Sequence, residues 1–214
     1  MQFRTARSDD PAGLAELIYL ADLAHYPSSG YALSIGGTRE HQLSQISKLV
    51  RAKAESPFHF SHFDVAEANG GSTIAACVAG FDKARTDPQM VPALLEIGWS
   101  SQEIEETGHR IAPIVDCVPE VPPGTWTIEH VATLPHYRGQ GLARQLLERA
   151  LNRGAALGYV KASLDVFIGN TKARALYAAA GFTHVCEFGH GPMRQYLGRD
   201  PVERMGRSLV GWYN

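Results

Sequence analysis

The sequence predicts an α+β fold built on a mixed β-sheet. Residues 125–168 contain a strand, a loop, a helix and a second strand, an order that predicts a parallel strand pair joined by a right-handed crossover helix. Earlier in the chain, Asn69, Gly70 and Gly71 separate two strand-like segments, which is the pattern of an antiparallel hairpin. A chain of 214 residues has the length of one domain with a sizeable core, so we expect a single domain over residues 1–214.

The N-terminal part of the chain is predicted to contain a strand and two helices. Residues 2–7 alternate weakly between polar and apolar side chains and are expected to form the strand. Asp10 then precedes a helix that has Pro11 in its first turn, a position that proline favours. A second helix is expected over residues 38–55. Residues 1–57 should therefore form a helical cover over one end of the sheet.

The segment between the hairpin and the crossover unit differs from the rest in composition. Residues 82–124 contain several prolines and eight acidic against three basic residues. This composition predicts an acidic insertion on the protein surface. Within it, residues 101–107 are expected to form a helix that starts with the spacing of a capping box and ends at Gly108.

Residues 125–151 combine three local signals. β-branched and aromatic residues before Pro135 indicate a strand, and leucines at helical spacing from Leu142 onward indicate a helix. Between them, Gly139 and Gly141 let backbone amides approach a ligand, while the helix N-terminus adds about half a positive charge. The sequence therefore predicts an anion-binding loop.

Two common nucleotide-binding loops do not fit these residues. A dinucleotide loop has the pattern GxGxxG, and only Gly139 and Gly141 match it; a nucleoside triphosphate loop needs a lysine that is missing here. Residues 138–174 contain seven basic and two acidic residues, which suits a polyanionic small ligand. Nucleic acid is not favoured as a partner, because the patch is short and the whole chain has a net charge of −2.

After the crossover helix, the sequence predicts a strand, a short helix and a second hairpin. The strand covers residues 159–168, and the helix covers residues 171–180. Residues 182–188 and 193–197 are predicted to form an antiparallel pair. The apolar tail, residues 209–213, is expected to dock either on its own domain or on a partner subunit, so a homodimer remains an open alternative.

Two motifs in the second half of the chain resemble those of the GNAT superfamily of acyl-CoA N-acyltransferases. The first is Arg-x-x-Gly-x-Ala over residues 138–143, where the family more often has glycine in place of Ala143. The second is the pattern LxVxxxNxxAxxxYxxxGF over residues 164–182. With their flanking strands, the motifs span residues 125–188, which the resemblance identifies as an acyl-CoA-binding core.

The resemblance implies a particular version of the α+β fold. It is a three-layer α/β arrangement with a mixed, mostly antiparallel seven-stranded sheet and helices on both faces. The central parallel pair is splayed, so that the pantetheine arm of the cofactor inserts in the gap. Residues 1–57 would then cover the acceptor side of the site.

The resemblance also implies acetyl-CoA as the acyl donor substrate. Main-chain groups of residues 131–133 would run along the pantetheine, and residues 138–144 would hold the pyrophosphate. Asn170 would bond the cofactor arm; its alternative role is to cap the following helix. The predicted cofactor-binding residues are Val131, Ala132, Thr133, Arg138, Gly139, Gln140, Gly141, Leu142, Ala143, Arg144, Asn170 and Ala173.

Two side chains are predicted to be catalytic. The resemblance gives Tyr177 the role of donating a proton to the departing thiolate, and its alternative role is packing alone. Asn170 and Tyr177 are seven residues apart and should face the same direction on a helix. We predict that Glu129 accepts the amine proton, directly or through water, with a structural carboxylate as the alternative. His130 has a suitable pKa but faces the other way on an alternating strand.

These observations predict an N-acetyltransferase that moves acetyl from acetyl-CoA to a primary amine of a small molecule or peptide, by direct attack in a ternary complex. The alternative from another class is a non-catalytic acyl-CoA-binding sensor or structural protein, and a third is a nucleotide-dependent enzyme. Tyr26, Tyr31 and Arg39 are candidates for lining the acceptor side. The glutamates within residues 103–106 either attract a cationic amine or are merely solvated.

The cysteines, the histidines and the hydropathy of the chain argue against disulfide bonds, a metal site and a membrane span. Cys77, Cys117 and Cys186 lack CxxC spacing and are interpreted as small buried hydrophobes, not as disulfide or zinc ligands. His59 and His62 have no third ligand nearby, so no metal site is expected. No apolar run approaches the roughly 20 residues that span a bilayer, and the N-terminus lacks an apolar signal core. We expect a cytoplasmic protein without a membrane partner.

Overall fold

The computed structural model describes residues 1–71 and 73–210 of the chain. The strands are β1 (Gln2–Thr5), β2 (Phe63–Ala68), β3 (Thr73–Phe81), β4 (Thr125–Thr133), β5 (Lys161–Phe167), β6 (Thr183–Phe188) and β7 (Val202–Ser208). The helices are α1 (Pro11–Leu23), α2 (Tyr31–Ser34), α3 (Arg39–Arg51), α4 (Lys83–Thr86), α5 (Met90–Glu96), α6 (Ser101–Val115), α7 (Leu142–Ala156) and α8 (Thr171–Ala179).

Seven strands of the described residues form one sheet, in the order β1-β2-β3-β4-β5-β7-β6. Neighbouring strands are antiparallel, except that β4 and β5 are parallel. Helix α7 makes the crossover between these two strands, as the sequence predicts. The predicted α+β fold with a mixed, mostly antiparallel seven-stranded sheet is confirmed.

Helices cover both faces of this sheet and bury two apolar clusters. On one face, α7 and α8 pack on the cluster that contains Trp126 and Leu146. On the other face, α1 and α3 pack on the cluster that contains Ile18, Ile46 and Phe63. Each such fully buried aliphatic or phenyl side chain contributes about 1.5–3 kcal/mol through the hydrophobic effect. The three-layer arrangement follows from these two clusters.

Helix α7 packs closely on β4 at a point where Gly154 faces the Trp126 ring. A Cβ added to Gly154 would come within 2.6 Å of the Trp126 ring. The Trp126 Nε1 donates a hydrogen bond to the carbonyl oxygen of Ala150 at 3.0 Å. These contacts fix the position of α7 on the sheet, and with it the position of the helix N-terminus near the end of β4.

The prediction of a strand at residues 193–197 is wrong. Met193–Leu197 is a π-helical turn, and the strand that pairs with β6 is β7, which is inserted between β5 and β6. Met193 and Leu197 lie four residues apart, a helical spacing, and both pack in a small apolar cluster with Phe188 and Val202. Strand β7 has the sequence VERMGRS, whose charged residues hide its burial from a hydrophobicity pattern.

The parallel strands β4 and β5 separate along their length. They pair only over three positions, which end at Thr127 opposite Ser163. Beyond that point, β4 continues to Thr133 and β5 continues to Phe167 without mutual pairing. The predicted splay is confirmed, and it opens a gap between the C-terminal halves of the two strands.

Strand β4 also contains a β-bulge at His130. Cys77 and Ala79 are two residues apart on β3, but their partners Ala132 and Glu129 are three apart on β4. His130 has a φ of 51°, a left-handed conformation that costs a non-glycine residue roughly 1–2 kcal/mol. The Cys77 Sγ donates a hydrogen bond to the His130 carbonyl oxygen at 3.1 Å. The bulge breaks the strict alternation of side chains that the sequence suggested for this strand.

Several other expectations need correction in their details. Helix α6 runs past Gly108 to Val115, because an internal glycine weakens a helix without necessarily ending it. Its predicted capping box is present, with Ser100 and Glu103 bonding each other's backbone amides. Helix α3 ends at Arg51, four residues earlier than expected.

The cysteines and the tail also differ in part from the predictions. Cys77 is buried, whereas Cys117 and Cys186 are only half-buried. Leu209 is buried in the main apolar cluster. Val210 is exposed, and residues 211–213 of the predicted docking tail lie outside the described residues.

Candidate active site

The gap between β4 and β5 forms a cleft of about 760 Å³. Strand β4 makes one wall, while β5 and α8 make the other, and the C-terminal end of α1 closes one side. Its polar lining residues include Asp22, His25, Tyr31, Glu129, His130, Thr133, Arg138, Asp165, Asn170, Thr171, Lys172 and Tyr177. Both halves of the predicted site therefore meet in one place, although they are far apart in sequence.

Most of the predicted site residues line this cleft. They are Glu129, Val131, Ala132, Thr133, Arg138, Ala143, Asn170, Ala173 and Tyr177. The other predicted residues, Gly139, Gln140, Gly141, Leu142 and Arg144, do not line the cleft itself; they form the turn and first helical residues that follow Arg138.

This turn is open to solvent. Gly139 and Gly141 have φ angles of 79° and 73°, the left-handed region that glycine tolerates best. A Cβ added to Gly139 would meet no atom within 4 Å. The Leu142 side chain is buried in the core, and the Arg144 side chain binds Glu148 at 3.1 Å, so neither fills the turn. What these residues present to a ligand is their backbone.

The backbone amides of the first turn of α7 are available to an anion. The first hydrogen bond within the helix runs from the Gln145 amide to the Gly141 carbonyl oxygen at 3.1 Å. The amides of residues 142–144 precede it and therefore have no partner inside the helix. Together with the helix dipole, they can hold a phosphate group.

Two side chains support the walls of the cleft next to this turn. The Arg138 Nε donates a hydrogen bond to the Thr133 carbonyl oxygen at 3.2 Å, which ties the turn to the end of β4. The Asn170 Oδ1 accepts a hydrogen bond from the Ala173 amide at 3.3 Å. Asn170 is thus the N-cap of α8, the alternative role considered for it, and it lines the cleft as well.

Tyr177 lies in the cleft and is 7% exposed. Its ring meets Phe182 edge-on, with 6.3 Å between the ring centroids. Burial raises the pKa of the Tyr177 hydroxyl well above its usual value, because the phenolate would be poorly solvated. The hydroxyl therefore keeps its proton at physiological pH and can act as a hydrogen-bond donor.

Glu129 faces the α1 and α3 side of the sheet. Its backbone position pairs with Ala79, which in turn pairs with Phe63, a member of the cluster under those helices. The Glu129 Oε1 lies 2.8 Å from the Lys83 Nζ. Burial is the largest single influence and raises the pKa of Glu129, but Lys83, His130 and Arg204 together outweigh it and the net pKa is lowered. A carboxylate held in this way is ionised, yet it is a weak proton acceptor.

The prediction that His130 faces away from Glu129 is wrong. The bulge turns the His130 ring to the same side of the sheet, where it stacks on Phe63 at 5.8 Å and contacts Phe58 at 5.4 Å. Its Nε2 lies 3.9 Å from the Glu129 Oε2. Burial lowers the pKa of His130, against the opposing effect of Glu129 and Asp22, so the ring is neutral at physiological pH. Both side chains line the cleft.

The part of the cleft that α1 closes includes residues that the sequence did not single out. Asp22 is fixed by hydrogen bonds from the Ser29 hydroxyl and the Gly30 amide, each 2.6 Å long. Asp165 lies opposite and receives two hydrogen bonds of 2.8 Å from Arg204. These pairings and the Lys83 contact join residues that are distant in sequence, so hydrophobic periodicity does not predict them.

Of the three residues that the sequence analysis named for the acceptor side, one lines the cleft. Tyr31 lines the cleft. Tyr26 does not; its hydroxyl donates a hydrogen bond to Asp200 at 2.9 Å. Arg39 does not either, because it forms an ion pair with Glu16. The glutamates of residues 103–106 also lie outside the cleft, and Glu103 is used in the helix cap.

Two absences can be stated for residues 1–71 and 73–210. They contain no group of three or more His, Cys, Asp or Glu side chains that could hold a metal ion. In the same ranges, no helix combines the length and apolar character that crossing a bilayer would require.

Several solved structures with the same fold are N-acetyltransferases. The N-acetyltransferase from Staphylococcus aureus Mu50 has a TM-score of 0.73 and 22% identity, over 96% of this chain and all of that chain. A mutant spermidine N-acetyltransferase from Vibrio cholerae has a TM-score of 0.57 and 16% identity, over 100% and 98% of the two chains. The ribosomal-protein-S18-alanine N-acetyltransferase from Escherichia coli has a TM-score of 0.53 and 15% identity, over 97% and 93%.

The sequence comparisons agree with the fold. None of the curated proteins compared with the chain matches it in sequence. A family model does match, and it covers residues 58–182, more than half of the chain and most of the residues that form the cleft. The chain belongs to the acetyltransferase (GNAT) family and is an acyltransferase.

Proposed function

We propose that this protein transfers the acetyl group of acetyl-CoA to a primary amine of a small molecule or peptide, by direct attack within a ternary complex. The observation that supports this most strongly is the cleft between the diverging strands β4 and β5. It has an open turn of backbone amides at one end and a buried tyrosine, Tyr177, in its lining. A pure acyl-CoA sensor would have no use for that tyrosine.

The donor would be held mainly by backbone groups. The amides of residues 139–144 would hold the diphosphate of the donor, and Arg138 and Lys172 add positive charge beside them. The edge of β4 at residues 131–133, which has no strand partner on the β5 side, would bond the pantetheine arm like an added strand. Asn170 and Ala173 line the opposite wall. Bound acetyl-CoA supplies an activated thioester carbonyl.

Three groups of the chain would assist the transfer. A backbone amide of β4 near Val131 would donate a hydrogen bond to the oxyanion of the tetrahedral intermediate. The Tyr177 hydroxyl would protonate the departing thiolate, a transfer that is feasible at hydrogen-bond distance despite its raised pKa. Glu129 would take the proton of the acceptor ammonium, directly or through water, so that a neutral amine attacks.

The parts of the chain have separate roles in this proposal. Residues 125–188 form the acyl-CoA-binding core, and residues 1–57 cover the acceptor side, where Asp22 and Tyr31 reach the cleft. Residues 82–124 would be an insertion that is only partly on the surface, because Lys83 contacts Glu129 and Ala93 packs against Leu49 and Ala52. Asp22, Glu129 and Asp165 line the cleft, and each is paired with a cation of the chain, namely Arg199, Lys83 and Arg204 respectively.

The experiment is a thiol-release assay with acetyl-CoA and a panel of primary amines that includes putrescine, spermidine, tyramine and an alanine-initiated peptide. We expect release with at least one amine and none without an acceptor. Tight CoA binding without turnover on any amine would favour the sensor. In thermal melts, protection by ATP or NAD but not by CoA would instead favour a nucleotide-dependent enzyme.

A further inference from the structure

We propose that His130 is a positioning residue that receives the amine proton through Glu129, so that the two side chains act as one proton relay. This inference rests on the proposed function, because it specifies how the acceptor ammonium loses its proton. In a regular strand, the His130 side chain would lie on the opposite face of the sheet from Glu129. The bulge brings it to the same face, and the proposal gives it a role there.

The first support is an unsatisfied atom. The His130 Nε2 is buried and has no hydrogen-bond partner among the residues that the structure describes. It lies 3.9 Å from the Glu129 Oε2, and the other carboxylate oxygen, Oε1, is occupied by Lys83 at 2.8 Å. A buried nitrogen without a partner is costly, so its presence beside the free oxygen of a cleft carboxylate calls for a role.

The second support is the conformation that places the ring there. His130 occupies the left-handed position of the bulge, where glycine would be unstrained. In this strained conformation, the His130 ring stacks on Phe63 and contacts Phe58. Strained residues cluster at functional sites, and this one lies where β4 leaves β5.

The third support is the weakness of Glu129 as a final proton acceptor. Lys83 stabilises its charged form, so a proton taken by Glu129 alone is held poorly. The N–H bond of the ammonium breaks and an O–H bond forms on Oε2. The two side chains then close the 3.9 Å between Oε2 and Nε2 to hydrogen-bond distance, the O–H bond breaks, and an N–H bond forms on Nε2. The positive charge then resides on the imidazole, and the Glu129 carboxylate is regenerated between two cations.

The charged and titratable groups around His130 fit this direction of transfer. Glu129 lies beside it on β4, Asp22 faces it from α1, and both favour the protonated ring; Lys83 from α4 opposes it. Tyr31 from α2 lines the same cleft. Burial holds the pKa of His130 below its usual value, so the ring is neutral before turnover, and the two carboxylates stabilise it once it is protonated.

The test uses two substitutions that tolerate a left-handed backbone. His130→Gly removes the ring and leaves a space of imidazole size, and His130→Asn fills the space without a base. With acetyl-CoA and the best amine of the panel, we expect both to lose roughly 100-fold in kcat, the lower end of what positioned acid–base groups contribute. Added imidazole should restore the activity of His130→Gly but not that of His130→Asn.

A matched control is His62→Asn, which removes another histidine with a buried, unpartnered Nε2 outside the cleft. Its activity should neither fall comparably nor respond to imidazole. In parallel, the pKa of the His130 ring is measured by NMR. We expect it to fall in Glu129→Gln, because the carboxylate that supports the protonated ring is lost.

The outcomes separate the two proposals. Wild-type protein without turnover on any amine would contradict the proposed function. If the wild type turns over, an unchanged kcat in both His130 variants, or a loss in His130→Gly that imidazole does not restore, would overturn the relay alone. Rescue by imidazole together with the lowered His130 pKa in Glu129→Gln is the result we expect.

Discussion

The ammonium of Lys83, which follows the end of β3, lies 2.8 Å from the Oε1 atom of Glu129 on the neighbouring strand β4. Lys83 is the first residue of α4, directly after Asp82, whose side chain caps that helix. The contact fixes one oxygen of the cleft carboxylate and leaves the other facing His130. It therefore favours the ionised form of Glu129.

Replacing Lys83 by methionine should shift the pH dependence of the reaction. Without the ammonium, burial raises the pKa of Glu129, so Glu129 becomes protonated at a higher pH than in the wild type. The acid limb of the kcat/KM profile should move to higher pH, whereas Lys83→Arg should leave it nearly in place. An unshifted acid limb in Lys83→Met would contradict a role for Glu129 in proton transfer.

The same pair should affect stability in a pH-dependent way. Because the folded pKa of Glu129 is lowered, its contribution to stability is present above its unfolded pKa and is lost as pH falls through the folded value. The free energy of unfolding is measured with urea at neutral pH and at about pH 4. The decrease between the two pH values should be smaller in Lys83→Met than in the wild type. Equal differences would mean that the ion pair contributes nothing to stability.

Replacing Tyr177 by phenylalanine should slow catalysis and leave donor binding intact. The substitution removes only a hydroxyl and keeps the ring that packs near Phe182. We expect kcat to fall about 100-fold, as for the loss of a positioned general acid, with CoA affinity unchanged by calorimetry. A wild-type kcat in Tyr177→Phe would show that this residue only packs.

Replacing Gly139 by alanine should weaken donor binding. The new methyl group has space, but the φ of 79° disfavours it, and the amides of the turn would shift. Loss of one hydrogen bond to a charged phosphate costs about 1.5–3 kcal/mol, so we expect the KM for acetyl-CoA to rise roughly 10-fold or more. Gly98→Ala is the control: its φ of 100° is also positive, but Gly98 lies outside the cleft. A similar rise in KM in both variants would argue against a specific role for the turn.

Replacing Gly154 by alanine should destabilise the fold. Its added Cβ would lie within 2.6 Å of the Trp126 ring, and such overpacking typically costs about 1–3 kcal/mol. Gly108→Ala provides the contrast, because an added Cβ there meets no atom within 4 Å in the middle of α6. It should raise stability by roughly 0.5–1 kcal/mol. Denaturant unfolding of both variants measures the two effects, and a Gly154→Ala protein as stable as the wild type would contradict the packing described.

Much of the fold and of the site could be predicted from the sequence because the signals were local. The strand, turn and helix around Gly139 and Gly141 follow one another without a gap, and Asn170 and Tyr177 are held on one side by a single short helix. Alternation, helical spacing and glycine positions describe such neighbours well. These signals placed both walls of the cleft.

The rest could not be predicted because it depends on contacts between distant residues. The bulge at His130 needs the register with β3, and the ion pair of Glu129 needs Lys83, which is remote in sequence. Strand β7 is hidden by charged residues such as Glu203 and Arg204, which are buried because they pair with other side chains. Hydrophobic patterning does not detect a strand of that kind.

The most direct test of the account is to incubate the protein with acetyl-CoA that bears an isotope-labelled acetyl group, together with the amine panel, and to identify the products by mass spectrometry. Acetyl transfer to an amine predicts a labelled N-acetyl amine and an equal amount of free CoA, both strongly reduced in Tyr177→Phe. Bound CoA without any labelled amine, in wild type and variant alike, would contradict it.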